Sequence, residues 1–217
     1  MWTFRNVEVR WLGHDSFLLK GTKSVMIDPF KVKGDHRADF ILITHEHSDH
    51  LSPDDIRRLA DSDTVIVAPD LCQGRLSEFP GKKEWVGPRA KLNLMDLVVE
   101  TIPAYNLNKF REPGKVFHPK TDGRVGYIVT LDGVRFYHAG DTDATPEMMA
   151  LDVDVALLPV SGTYVMTAEE AADAAKKMGA KVVIPMHYNR IVGSVADAEK
   201  FRLLVGSARE VQVLQEE

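Results

Sequence analysis

One cysteine, Cys72, stands among 217 residues, so no disulfide can form within the chain. That is the pattern of a reducing compartment rather than of a secreted, cross-linked scaffold. Cys72 lies in Pro69-Asp70-Leu71-Cys72-Gln73, an expected helix start, and reads as a packing residue. Long apolar runs are missing too. A membrane helix needs roughly 20 apolar residues, and the longest stretches, such as Val155-Ala156-Leu157-Leu158-Pro159-Val160, have only the length of a strand. The opening Met1-Trp2-Thr3-Phe4-Arg5-Asn6 carries no apolar core of a secretion signal, so the expected address is the cytoplasm. Excess positive charge is absent. The formal net charge of −5 argues against a dedicated nucleic-acid binder and leaves a small molecule as the expected partner. A content of 44% hydrophobic and 27% charged residues is ordinary for a globular protein, and the length suits a single domain over residues 1–217. A homo-oligomer is compatible with this composition.

Histidine, by contrast, is concentrated. His45-Glu46-His47-Ser48-Asp49-His50 places three imidazoles and a carboxylate in one short turn. The run before it, Asp39 to Thr44, reads as a buried strand. The run after it reads as a helix from Pro53 to Asp61, with Ser52 as N-cap and Pro53 at the first helical position. The cluster therefore sits where open α/β sheets commonly bind ligands, at the C-terminal end of a strand. Imidazole nitrogen and carboxylate oxygen are ligands for zinc and similar divalent ions. Four ligands on so short a backbone cannot all face one ion. Two adjacent ions are the economical arrangement, His45 and His47 facing one, Asp49 and His50 the other. Such a pair can hold a hydroxide and clamp a scissile ester or phosphate.

Elsewhere the chain alternates in short segments. Strands are expected over Val7 to Trp11, Ser16 to Lys20 and Ser24 to Asp28, before any helix; antiparallel strands in that position point to a sandwich rather than a doubly wound sheet. A helix from Asp70 to Glu78 and strands near Glu84 to Val86, Lys91 to Leu94 and Leu97 to Ile102 follow. Residues 103–124 form the longest stretch without periodicity, and loops of that length are usually functional. This one carries Lys109, Arg111, Lys115, Lys120 and Arg124 against Glu112 and Asp122. A basic loop near metal ions suggests an anionic substrate bound by Lys109 and Arg111. A hairpin through Asp132-Gly133 then delivers Gly140-Asp141-Thr142. A carboxylate after a glycine at a strand end suits a ligand bridging two ions. Asp154 to Val160 is a buried strand, Thr167 to Glu170 a capping box, and Glu210 to Leu214 a closing strand. Tyr164 and Tyr188 follow strand ends and are candidate donors to a developing oxyanion.

His45-x-His47-x-Asp49-His50, Gly140-Asp141-Thr142 and Pro185-Met186-His187 together resemble the metal motifs of the metallo-β-lactamase-fold hydrolases. The resemblance implies an α/β (α+β) four-layer αβ/βα sandwich of two mixed, largely antiparallel sheets flanked by helices. It implies Asp141 as the bridging ligand and His187 as the last ligand of the second metal. Trp11-Leu12-Gly13-His14 with Ile27-Asp28-Pro29 is similar to the opening of the lactonase-like branch, typified by ascorbate-6-phosphate lactonases, which implies Asp28 and His14 as residues orienting the ligands. The chain departs from the pattern at one place. Many relatives carry a histidine shortly after a Pro-Ala pair, whereas Pro103-Ala104 is followed here by Tyr105 and Asn106. The expected substitute is His118, folded back to complete His45 and His47. The implied activity is that of a metal-dependent hydrolase with two divalent ions, zinc first, manganese or iron as substitutes, and with Asp49 and Asp141 at the reacting centre. It would cleave an ester, lactone or phosphoester. Phosphodiester cleavage of nucleic acid or phospholipid, and di-iron redox chemistry on the same fold, are the alternatives.

Overall fold

The computed structural model describes residues 1–79 and 81–217. The N-terminal sheet is built in strict chain order from β1 (Trp2–Phe4), β2 (Val7–Trp11), β3 (Phe17–Lys20), β4 (Ser24–Ile27), β5 (Phe40–Leu42), β6 (Val65–Pro69) and β7 (Lys82–Val86). The pairs β1–β2, β2–β3 and β3–β4 are antiparallel; β4–β5, β5–β6 and β6–β7 are parallel. Helices α1 (Pro53–Leu59) and α2 (Gln73–Leu76) provide the later crossovers. The C-terminal sheet repeats the plan. It comprises β8 (Lys91–Leu94) and β9 (Leu97–Pro103), then, after a small hairpin of β10 (Phe110–Glu112) and β11 (Lys115–Val116), β12 (Val125–Leu131) and β13 (Val134–His138). Helix α3 (Pro146–Met149), β14 (Asp152–Pro159), α4 (Ala168–Lys177), β15 (Gly179–Met186), α5 (Val195–Val205) and β16 (Glu210–Val211) complete it. Again three antiparallel pairings are followed by three parallel ones. The two sheets thus repeat one order of pairing sense.

Side-chain alternation sorts the core. In the N-terminal sheet Phe17, Leu19, Val25, Ile27, Phe40, Leu42, Val65 and Val67 face the C-terminal sheet. The residues between them, Leu18, Met26, Ile41 and Ile66, join Ile56 and Leu59 of α1 and the buried Cys72 on the outer face. Both faces are covered, which is why these strands read as unbroken apolar runs. Helices α4 and α5 pack on β14 and β15, and the capping box of Thr167 and Glu170 is formed. Tyr127 ties the sheets together: its buried hydroxyl donates to the carbonyls of Ile43 and Val67, at 2.7 and 3.2 Å. No helix among the described residues is long and apolar enough to cross a membrane.

Three expectations change. The helix from Asp70 to Glu78 is a 3-10 turn (Asp70–Cys72) running into the single turn α2, a break consistent with Gly74, a poor helix former, in its middle. The closing strand stops at Val211, because β15 offers it partners only at Val182 and Val183. The aperiodic stretch 103–124 is folded on itself: Asn106 pairs with His118, Lys109 with Phe117, and β10 with β11, a short ladder rooted at His118.

Candidate metal centre

The centre lies where the two sheets bring their strand ends together: His45 and Asp28 after β5 and β4, Asp141 after β13, His187 after β15. Thr44 organises the histidine turn. Its N–H donates to Asp28 Oδ1 (2.8 Å) and its hydroxyl to Asp28 Oδ2 (2.6 Å). That hydroxyl then accepts from His45 Nδ1 (3.0 Å), which leaves the His45 Nε2 lone pair free. Asp28 Oδ2 also meets His50 Nδ1 at 2.8 Å, so His50 likewise presents Nε2 inward. Ser161 Oγ meets His187 Nδ1 at 2.9 Å and has the same effect there. Metal-binding histidines usually engage their outer nitrogen in this way. His14, Asp28 and His187 all hold left-handed backbone (φ 53, 45 and 60°), a conformation that costs free energy and concentrates at functional sites. Gly140 (φ 61°) makes the corresponding bend before Asp141, and a Cβ there would sit 3.1 Å from Thr44.

Asp141 is the hinge of the arrangement. Its Oδ2 lies 3.8 Å from His45 Nε2 and 3.5 Å from His118 Nε2. Its Oδ1 lies 3.2 Å from His50 Nε2 and 3.3 Å from His187 Nε2. His47 Nδ1 faces His45 Nε2 at 3.0 Å. His45, His47, His118 and Asp141 thus form one group whose ligand atoms lie within 4.8 Å of one another, and His14, Asp49, His50 and His187 form another. Asp141 Oδ1, His50 Nε2 and His187 Nε2 are buried without hydrogen-bond partners. Buried polar atoms are rarely left so, and nitrogen and oxygen donors converging on one point are what a divalent cation requires. The residues present therefore fit a metal pair.

The charges follow from burial and from one another. Burial pushes the His45 imidazole well below its usual range, and the neighbouring His50 adds to this. Burial and Arg124 lower His47, and burial brings His118 down to about 4. These three are neutral imidazoles at pH 7, the ligand form. Burial opposes the charged form of His50 and His187, yet the Asp141 carboxylate outweighs it and raises both, with Asp28 adding to His50 and Asp15 to His187. Asp141 is held far below the carboxylate range against its burial, by His187 and His50. Asp49 is lowered, also against burial, by the hydrogen bond from His14 Nε2 at 3.1 Å.

His118 does fold back onto His45 and His47. Asn106 holds it there: the Asn106 N–H donates to the His118 carbonyl (2.8 Å), and Asn106 Oδ1 accepts from the His118 N–H (2.9 Å). Asn106 Nδ2 donates to Asp143 and to the Tyr164 carbonyl. Asn106 therefore serves as a clamp on His118. His14 touches Asp49, and Asp28 touches His50.

The expected substrate contacts fare differently. The Lys109 ammonium is bound to Glu170 (2.7 Å) and lies 3.4 Å from Asp143, so it fastens the loop to α4 and brings no uncompensated charge. Arg124 is buried in a two-pronged pair with Glu46, at 2.6 and 3.2 Å; Lys115 pairs with Glu112 and Lys120 with Glu147. Of the loop's five cations Arg111 alone has no acidic partner among the described residues; it stands exposed on β10. Tyr188 is wholly buried, stacked on Trp11 at 4.7 Å, and lines a cavity with Val195, Glu199 and Leu214, so it is no oxyanion donor. Tyr164 is 40% exposed beside Phe117 and stays accessible. The positions of Asp15 and Ser161, the clamping role of Asn106 and the pairing of Glu46 with Arg124 are not marked in the sequence. Asp15 had only its place beside His14 to mark it, and the others carry no motif.

A profile described as the beta-lactamase superfamily domain matches residues 8–187. The chain is 36% identical, over 96% of each sequence, to a UPF0173 metal-dependent hydrolase of Thermococcus kodakarensis. A solved structure from Parabacteroides distasonis, described as a proposed metal-dependent hydrolase, superposes with a TM-score of 0.82 at 33% identity, covering 97% of this chain and 94% of that one. One from Thermotoga maritima, described as a proposed Zn-dependent hydrolase of the metallo-β-lactamase superfamily, gives 0.63 at 22% identity, covering 97% and 100%, a likeness of fold.

Proposed function

Since the chain belongs to the metallo-β-lactamase superfamily, and within it to the UPF0173 metal-dependent hydrolases, we propose that it hydrolyses an ester, lactone or phosphoester bond in a small, anionic, cytoplasmic substrate at a binuclear centre. The observation that carries this reading is the division of Asp141, one oxygen toward His45 and His118 and the other toward His50 and His187. His45, His47 and His118 would hold the first ion; Asp49, His50 and His187 the second. Zinc is the first choice for such donors, and a structural neighbour is described as Zn-dependent; manganese and iron suit the same atoms. When bound, such ions polarise the scissile group and bring the pKa of water toward neutrality.

The protein's own part is positional. His47 (43% exposed) and Asp49 (22%) are the members of the centre that reach solvent, so substrate would arrive on their side. Asp49, kept ionised by His14, can orient a water molecule by accepting its proton in a hydrogen bond. Tyr164 offers a hydroxyl at the rim, and Arg111 supplies the uncompensated charge that favours an anionic group. The test is a panel of lactones, anionic esters and phosphodiesters with metal-loaded protein. Turnover of an anionic ester or lactone, abolished by chelation and by Asp141→Asn, is the expected result. Preference for phosphodiesters would replace the substrate class, and activity insensitive to chelation would contradict the reading.

A further inference from the structure

Asp15 is buried completely, and neither of its carboxylate oxygens has a hydrogen-bond donor. The nearest charged atom identified is His50 Nδ1, 3.7 Å from Oδ2 and already engaged by Asp28. A carboxylate stripped of water and given no donor is costly to keep unless a cation stands against it. The fold nonetheless holds it rigidly. Leu12 and Ser16 close the turn around it through backbone bonds, Ser16 Oγ donates to the Asp28 carbonyl, and Trp11 Nε1 and the His187 N–H both donate to the His14 carbonyl. The Arg190 guanidinium donates to the Leu12 carbonyl and fills the space over Gly13, where a Cβ would meet its Nε at 2.2 Å. The Asp15 carbonyl is taken by His138 Nε2 at 2.9 Å. The backbone of the turn is satisfied; both oxygens of the Asp15 carboxylate are not.

Its surroundings supply the explanation. Asp15, His50, Asp141 and His187 offer ligand atoms within 4.8 Å of one another, all buried. The unpartnered atoms of this group are both Asp15 oxygens, His50 Nε2, Asp141 Oδ1 and His187 Nε2. Asp49, by contrast, is bonded to His14 and partly exposed. We propose that Asp15 is a further ligand of the second metal, entering from beneath with His50, His187 and Asp141, while Asp49 closes the solvent side. This rests on the binuclear reading above. It makes the two positions chemically unequal, three imidazoles and one carboxylate against two imidazoles and up to three carboxylates.

Cobalt(II) titration of the metal-free full-length protein tests it, with the visible ligand-field spectrum read at each equivalent. For Asp15→Asn the first equivalent should keep its spectrum and affinity. The second should bind about tenfold or more weakly, with a changed spectrum because its coordination changes. An unchanged second spectrum, at whatever affinity, would overturn the assignment, since a distant charge alters binding strength without altering the ligand field. If the wild-type protein takes up only one cobalt, the binuclear reading itself fails, and Asp15 falls with it. Should Asp15→Asn not fold, Asp15→Ser gives the same reading.

Discussion

Asp28 meets the histidine turn through three hydrogen bonds, to the Thr44 N–H, the Thr44 hydroxyl and His50 Nδ1, all within 2.8 Å. Removing it leaves a buried N–H unpaired and an imidazole free to rotate. Asp28→Ala should therefore weaken metal binding by about 10–100-fold, measured by competition with a chromophoric chelator; undiminished affinity would show that His50 needs no orienter. Tyr188→Phe is the opposite case. Its ring packs on Trp11 away from the centre, so kcat should stay within about twofold of wild type, a change of less than 1 kcal/mol in the barrier. A large loss would restore it as a donor. The motif residues were legible in the sequence because metal chemistry restricts them to few residue types at short spacing. Asp15 and Asn106 were not, since an aspartate or asparagine in a turn reads as turn chemistry until the fold shows what its side chain faces.

In the proposed centre the ladder rooted at His118 would govern the first metal position. Asn106→Ala removes the acceptor for the His118 N–H and both side-chain donations. The expected result is weaker binding of one metal equivalent, with the other retained, in the same competition assay; loss of neither would mean that the backbone pairing alone positions His118. On the same ladder Lys109 and Arg111 separate. Arg111→Glu should raise KM for an anionic ester at unchanged thermal stability. Lys109→Glu should lower stability, because it sets a third carboxylate against Glu170 and Asp143. The sequence showed the basic charge of this segment but not its compensation, because Glu46, Glu147 and Glu170 lie far away in the chain. Hairpin residues 110–116 also escaped the reading, as three- and two-residue strands carry too little alternation to register.

At the scale of the molecule, two sheets of identical pairing sense pack face to face with their ligands at one end, and the antiparallel start of each was visible in the alternation of Val7 to Trp11 and the Asp132-Gly133 turn. The C-terminal half also carries an electrostatic clasp between α3 and the 103–124 segment. Glu147 of α3 accepts from Tyr105 and pairs with Lys120, and the Lys120 hydrogen bond, foremost, depresses its carboxyl to about 2. A carboxyl lowered on folding contributes stability above its unfolded value, here an ordinary 4.5, and loses it as pH falls toward 2. Urea midpoints should therefore drop between pH 5 and pH 2.5, and drop less in Glu147→Gln; equal slopes would show that the pair adds nothing to folding.

The central claim is that Asp141 joins two metal positions. Metal content per chain, measured by plasma mass spectrometry on protein loaded with zinc and freed of excess, tests it most directly. Two equivalents, falling in Asp141→Ala, are predicted; a single equivalent in the wild-type protein would contradict it.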